Sequence, residues 1–558
     1  MDKSDQKAHR EVKMQQSVLK NGVSGNEKQI LTLSTYLTKT DFTLYVALPD
    51  NDPAKEKLFI SIFGNTLSVN YEFFQHGMQS QSKMIALPDD VDVDAIRYEF
   101  EKRILRLIIP RDDSIPHPQN SVLVLTFPPE KNIQKDKFDF PKIEIEKPVE
   151  CIANPFMTLD KPTNHVQEFF STGIQNEVEQ FHSTIPGFKA SPLVSLPNLA
   201  AMLGVRSVWV KDESKRLNLN AFKVLGGSYA IAKTVQHLLQ PTNSSLNFDE
   251  LTAKNTAPKL GKLIFAAATD GNHGKGVAWA ASQLGYQSII YVHKLTSQAR
   301  IRAIENSGAK VVVVDGTYDD AVRKVNWDAK ENGWLVISDT AWEGYEDIPR
   351  WVMQGYTTML SETQRQFAEQ GIERPSHVFV QAGVGALAAA TIGFYAARFK
   401  QNRPLNVVVE PGKAACLFHS MEIADGDPHS FAGNLDTIMA GLACGDPNPL
   451  AWPIIREHAD FFIKCPDYVA AKGMRVYGSP AQGDPAIISG ESGAVTLGAL
   501  MFLMQWDEAK AFRKKLNLTE QSDVLLINSE GNTDPDHYRH VVWDGGEAVP
   551  AIYKSYWP

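Results

Sequence analysis

The residues best suited to chemistry in this chain lie around one lysine. Lys223 sits within Asn218-Leu219-Asn220-Ala221-Phe222-Lys223-Val224-Leu225-Gly226-Gly227-Ser228. A lysine in an apolar run is commonly a surface residue with its stem laid along apolar neighbours, so the stretch alone decides little. Its amine attacks a carbonyl only when unprotonated, and desolvation or a nearby cation lowers its pKa towards that state. Phe222, Val224 and Leu225 offer a dry wall, so a depressed pKa is expected for Lys223. Gly226 and Gly227 let other backbone approach closely. Such a lysine also needs an anion cradle, partners for a bound ring and a group to move protons.

Three later segments supply these. The strand from Leu263 to Ala266 runs into Ala268-Thr269-Asp270-Gly271-Asn272-His273-Gly274-Lys275-Gly276, and then into the helical Val277-Ala278-Trp279-Ala280-Ala281. Its glycines let N–H groups face a ligand at a helix start, which suits a carboxylate. Asp270 adds an acid there, while His273 reads as a structural residue holding the loop. A second loop, Gln381-Ala382-Gly383-Val384-Gly385-Ala386-Leu387, also follows a strand and opens a helix, the geometry that cradles a phosphate. It lacks the Lys-Ser/Thr of a nucleotide loop and the full dinucleotide spacing, so ATP and NAD fit poorly. Leu525-Leu526-Ile527-Asn528-Ser529-Glu530-Gly531-Asn532 is again a strand and a glycine turn. These segments point to pyridoxal 5'-phosphate. Lys223 would hold it as a Schiff base, Asn272 would meet its phenolic oxygen, and Gly383, Val384, Gly385, Ala386 and Leu387 its phosphate. Ser529 would meet the ring nitrogen, and a neutral hydroxyl there suits β-elimination.

In this order the segments resemble the fold type II pyridoxal-phosphate enzymes, the group of threonine dehydratase and the tryptophan synthase β chain. Dehydratases typically carry Ser-Ser-Gly-Asn-His, whereas Asp270 precedes Gly271 here. The Lys223 and Asp270 motifs, Ser338-Asp339-Thr340-Ala341-Trp342-Glu343-Gly344-Tyr345, Thr437-Ile438-Met439-Ala440-Gly441-Leu442-Ala443-Cys444-Gly445 and Ser489-Gly490-Glu491-Ser492-Gly493-Ala494 look like the diaminopropionate ammonia-lyase family. That resemblance covers about residues 151–558. It implies an α/β fold with two parallel-sheet lobes, an amino acid as substrate and assembly as a homodimer or larger homo-oligomer. The reaction implied splits 2,3-diaminopropionate into pyruvate and two ammonias, with Lys223, Asp270 and Asp339 catalytic. The two aspartates would divide the enantiomers, Asp270 taking the D form; the other reading of Asp339 is a cap or pocket wall. Tyr345 and Trp342 are expected at the pocket wall, and Asp212 and Glu213 are expected to be structural. Two alternatives stay open: a serine or threonine dehydratase, against which Asp270 argues, and a holdase with an inactive lyase domain, against which Lys223 and Asn272 argue.

The elements that must position these residues follow from periodicity. Apolar strands such as Val208-Trp209-Val210, Val311-Val312-Val313-Val314 and Val407-Val408-Val409 alternate with helical patterns, which predicts a parallel sheet covered on both faces. Ahead of them, residues 1–27 read as a polar tail and 28–112 as an all-β sandwich. Within the latter, Leu87-Pro88-Asp89-Asp90 and Ile104-Leu105-Arg106-Leu107-Ile108-Ile109-Pro110 resemble the α-crystallin domain of small heat-shock proteins. That family usually has Gly before the final strand, where Lys102-Arg103 stand here. Ile143-Glu144-Ile145 matches its C-terminal Ile-x-Ile, a pattern any alternating strand produces. Residues 113–150, rich in Pro and Lys and holding one expected strand, Val122-Leu123-Val124-Leu125-Thr126-Phe127, read as a linker to the lyase domain at 151–558. The mostly apolar segment from Val378 to Phe399 divides into strand, glycine loop and helix rather than a membrane span. A net charge of -9 argues against a nucleic-acid partner. With 43% hydrophobic and 22% charged residues the chain is an ordinary globular one. Four scattered cysteines and a polar start without an apolar leader fit a cytoplasmic protein. Whether Cys416 and Cys444 pair stays open.

Overall fold

Contacts divide the chain into two compact units, Met1–Ile145 and Glu146–Pro558. The structure, a computed structural model, describes residues 32–37, 41–48, 56–63, 66–74, 78–87, 96–101, 104–110, 121–126, 146–157, 164–240, 246–269, 271–294, 296–316, 318–433, 435–550 and 553. The expected tail at 1–27, the acidic turn after Leu87, Lys102-Arg103, the Ile-x-Ile at 143–145 and Asp270 lie outside the described residues.

The first unit holds two four-stranded antiparallel sheets. One is ordered Thr32–Leu37, Asp41–Ala47, Ile104–Pro110, Arg97–Glu101; the other Met78–Ala86, Thr66–Phe74, Glu56–Phe63, Ser121–Thr126. Burial alternates along Ile104–Pro110, so Leu105, Leu107 and Ile109 join Phe42, Leu44 and Val46 in a cluster that also takes in Leu58, Ile60, Leu67, Val69 and Tyr71 from the other sheet. The strand expected in the linker, Ser121–Thr126, pairs with Glu56–Phe63.

In the second unit the central strands Ser207–Asp212, Asp523–Asn528, His377–Gln381, Leu405–Pro411 and Phe461–Cys465 run parallel, in that order. Leu193–Ser195 and Glu150–Ala153 close the two edges antiparallel. Val149, just before the second edge strand, is buried in this unit's core, ahead of the expected start at 151. Val378, Val380, Leu525 and Ile527 enter one apolar cluster, while the alternating Phe379, Val524 and Leu526 enter another. The sheet is therefore covered on both faces, which is why these strands are apolar without a break. A second sheet, ordered Lys310–Val314, Gln287–His293, Ile264–Ala268, Leu335–Val336, is parallel throughout. The segment around Val378 is the strand His377–Gln381, a loop and the helix Ala386–Phe399; among the described residues no helix is long and apolar enough to cross a membrane.

Lys223 begins the helix Lys223–Leu239, which packs against Asn272–Gln283. The second helix starts at Asn272, earlier than the glycines suggested, because two of them serve packing. A Cβ on Gly276 would lie 2.9 Å from the Val224 N and Cα, so only glycine lets the helices meet there. Gly226 does the same towards the helix Asp347–Gly355: a Cβ there would lie 2.8 Å from the Val352 carbonyl oxygen.

The approach to Lys223 is strained, with Leu217, Asn218 and Asn220 at φ of 48, 59 and 57°. It is held from several sides. Lys275 Nζ donates to the Leu219 carbonyl at 2.9 Å, Gly531 N to the Asn220 carbonyl at 2.9 Å, and Phe222 N to the Ser529 carbonyl at 3.2 Å. Beneath it, Arg216 pairs with Glu213 at 2.7 Å and Glu362 at 2.6 Å, and Lys211 pairs with Glu362 at 2.8 Å. All four side chains are sealed from solvent, two cations against two anions. Asp212 accepts from Asn528 Nδ2 at 2.8 Å, tying two central strands.

Candidate active site

A cavity of about 110 Å³ opens at the carboxyl ends of the strands, where an α/β sheet binds its ligands. Lys223, Asn272, Asp339, Ser529 and the 383–387 loop all line it. Lys223 Nζ donates to Asp339 Oδ2 at 2.6 Å. Burial works against the lysine's charge, but the Asp339 carboxylate outweighs it and holds the Lys223 pKa above its ordinary value. The depressed pKa expected from the apolar wall is thus reversed, because Asp339, 116 residues away along the chain, stands in direct ion-pair contact with the amine. Burial likewise opposes the Asp339 charge, yet the Lys223 ammonium, through its charge and its hydrogen bond, holds the Asp339 pKa below the carboxylate range.

His273 is buried and its Nε2 donates to the Ile337 carbonyl at 2.8 Å, fixing the proton on that nitrogen while the ring is neutral. Nδ1 then faces Asp339 Oδ2 at 4.0 Å. Burial lowers the His273 pKa despite Asp339, so the ring stays uncharged and leaves Lys223 as the cation paired with Asp339.

The 383–387 loop ends at Gly385, whose φ of +101° is left-handed, and the helix Ala386–Phe399 follows. A Cβ on Gly385 would lie 2.8 Å from Ile455 Cδ1, and one on Gly383 would lie 3.0 Å from Cys444 Sγ. Position 385 therefore demands glycine and position 383 leaves little room for a side chain, so main-chain N–H groups at a helix start border the cavity. Asn448 links this loop to the acid: its N donates to the Val384 carbonyl at 2.8 Å and its Nδ2 to the Asp339 carbonyl at 3.0 Å. Across the cavity, Gln381 Nε2 donates to Ser529 Oγ at 2.7 Å, and Asn272 Nδ2 donates to Glu530 Oε2 at 2.6 Å.

The pyridoxal-phosphate dependent enzyme family matches residues 185–530. Diaminopropionate ammonia-lyase of Escherichia coli (strain K12) is 47% identical over 380 residues, 68% of this chain and 94% of its own length. The Salmonella typhimurium enzyme of the same name is 45% identical, covering 72% of this chain and all of its own. This chain belongs to the diaminopropionate ammonia-lyase family. The fold agrees: a crystal structure of holo diaminopropionate ammonia lyase from E. coli superposes with a TM-score of 0.67 at 45% identity, covering 72% of this chain and 98% of that one. The chain is thus a pyridoxal-phosphate-dependent lyase of fold type II.

Several residues of this family member stand apart from what the sequence suggested. Tyr345 does not line the cavity; its hydroxyl donates to the Val336 carbonyl at 2.7 Å and accepts from Ser338 N at 2.9 Å, bracing the loop that carries Asp339. Trp342 stacks on that ring with centroids 4.1 Å apart and is likewise absent from the lining. No disulfide joins Cys416 and Cys444. Gln381, Asn448, Glu530 and Arg300 were not foreseen. Gln381 had a signal, being the polar end of an otherwise apolar strand; Asn448 had none, since its role depends on where two distant loops meet.

Proposed function

We propose that the described cavity performs α,β-elimination on 2,3-diaminopropionate, releasing pyruvate and two ammonias with uptake of one water. The observation that carries the reading is the Lys223–Asp339 pair opening on a cavity opposite a glycine cradle. The residues fit pyridoxal phosphate. The 383–387 loop would take its phosphate through N–H groups, and Asn272 keeps a second amide N–H for its phenolic oxygen after serving Glu530. Because Gln381 donates to Ser529 Oγ, the serine's own proton is left to give to an unprotonated ring nitrogen. When bound, the cofactor supplies an electron sink for the charge left at the substrate Cα.

The chain's own groups then move the protons. Lys223 Nζ would hold the cofactor, and once the substrate amine has taken its place it would be free to move the proton at Cα. Asp339 Oδ2 takes or returns the proton at Lys223 Nζ, and supplies one to the departing β-amine, which leaves poorly unless protonated. Asp270 would serve as the acid/base for the D form. Neutral His273 holds the strand end behind Asp339 without competing for its charge.

The test uses the purified wild-type protein with each enantiomer of diaminopropionate, and with serine and threonine. Two ammonium ions per pyruvate from diaminopropionate support the reading. Faster turnover of serine or threonine, with one ammonium per keto acid, would replace it with a dehydratase.

For the first unit we infer an α-crystallin-like sandwich that assembles the chain into a homo-oligomer and is dispensable for chemistry. Two antiparallel sheets sharing one apolar cluster support this. A chain beginning at Glu146 should keep its cofactor spectrum and turnover but change in native mass. A folded form that cannot bind the cofactor would contradict it.

A further inference from the structure

We propose that Arg300 is the counter-charge for the substrate's carboxylate, and so selects free amino acids over uncharged analogues. The inference rests on the elimination reading above. It begins with a local rule that this position breaks. Ser297 caps the helix Gln298–Glu305, its Oγ accepting from Arg300 N. Three residues after such a cap, a glutamate or glutamine would complete the hydrogen-bonded box, and an acid would suit the positive end of the helix. The chain instead places a cation there, with no acid anywhere in the first turn. A residue that costs its own helix stability is expected to act elsewhere.

The cavity is where it acts. Arg300 is half-buried and lines the cavity, its Cδ 3.3 Å from where a Cβ on Gly271 would sit. Its stem therefore lies along the turn that opens the Asn272 helix, beside the N–H groups best placed for a carboxylate. Among the described residues lining the cavity, the cations are Lys223 and Arg300. Lys223 is neutralised by Asp339 at 2.6 Å. The Arg300 guanidinium has Glu491 and His537 within electrostatic reach, but no described carboxylate stands at ion-pair distance from it. An amino acid brings one carboxylate into a pocket that already holds Asp339 and Glu530. Arg300 is the lining group that can offset that third negative charge, and its planar fork suits two carboxylate oxygens.

The experiment compares wild-type holoenzyme with Arg300→Gln and Arg300→Lys. The change in the cofactor's absorbance is titrated with D-serine, a compact amino acid, and with its carboxamide. Steady-state rates with diaminopropionate are measured alongside. Arg300→Gln should weaken D-serine binding roughly tenfold to a hundredfold and raise KM similarly, because a charge-assisted pair is lost. The carboxamide should bind equally well to both proteins, and kcat should change little, since the carboxylate is held alike before and during the reaction. Arg300→Lys should recover part of the affinity. Unchanged D-serine affinity in Arg300→Gln would overturn the proposal, as would an equal loss for the carboxamide. So would an effect confined to the pH profile, which would mean that Arg300 serves Glu491 instead. If wild-type protein binds D-serine but does not cleave diaminopropionate, the elimination reading fails while the Arg300 test stands.

Discussion

Lys211 and Lys223 lie twelve residues apart, each ion-paired to a carboxylate, at 2.8 and 2.6 Å, yet they do opposite things. Lys211 is sealed, and burial lowers its pKa in spite of Glu362 and Glu213. It shares its acid with Arg216, so neither cation can leave without stranding the other charges. Lys223 keeps 21% of its side chain open and Asp339 keeps 14%, both facing a cavity that admits a ligand. The lesson is that an ion pair by itself is not a sign of chemistry. Access to a cavity is what suits the second pair to the proposed chemistry, while saturation makes the first a brace for the strained turn between them.

The comparison can be broken most sharply at its reactive end. Lys223→Ala should abolish turnover and the borohydride-reducible adduct together while the fold persists. A reducible adduct that survives on another peptide would move the reactive lysine elsewhere. Asp339→Asn comes next. Removing the carboxylate leaves burial to dominate, so the Lys223 pKa should fall from above its ordinary value to below it. Only the neutral amine attacks a carbonyl, so adduct formation by cofactor-free protein should reach half its maximal rate at lower pH than in wild type. Turnover should drop at the same time. A midpoint that does not move would show that Asp339 does not control the amine.

The sealed pair should answer in stability instead. Lys211→Met leaves Glu213 and Glu362 to share the single cation Arg216, so one buried negative charge goes unmatched, and loss of one partner from a buried pair costs about 3–5 kcal/mol. Denaturant unfolding should shift accordingly, and the native fraction should still form the adduct. Undiminished stability would mean that the cluster braces nothing. The smallest effect is expected where the two helices touch. Gly276→Ala places a Cβ against the Val224 backbone, and overpacking of this kind costs about 1–3 kcal/mol. Because Val224 follows Lys223, a modest fall in turnover should accompany it; full activity with lowered stability would show that the lysine's position tolerates the shift.

Much of this was legible in the chain. Unbroken apolar strands specified a sheet covered on both faces, since only burial on two sides removes the need for polar alternation. The glycine loops, Asn272 and Ser529 could be picked out because each follows a strand, and strand ends are where such folds bind ligands. The roles of glycines 274 and 276 were less visible: a glycine that frees a loop and a glycine that admits a neighbouring helix look alike in sequence. Gly276 proved to be the second kind, and the Asn272 helix starts earlier than expected for that reason.

By itself, then, the sequence determined the class of fold and the cofactor, and it singled out Lys223 as the lysine proposed to carry it, because local pattern and motif order encode them. Only the tertiary structure decided the charge state at that lysine. Asp339 reaches Lys223 from the end of a strand in the second sheet, His273 stays neutral behind it, and Arg300 comes to the same cavity from a third element. A pKa is set by distances in space and by the water that burial removes, and neither quantity is a function of position along the chain.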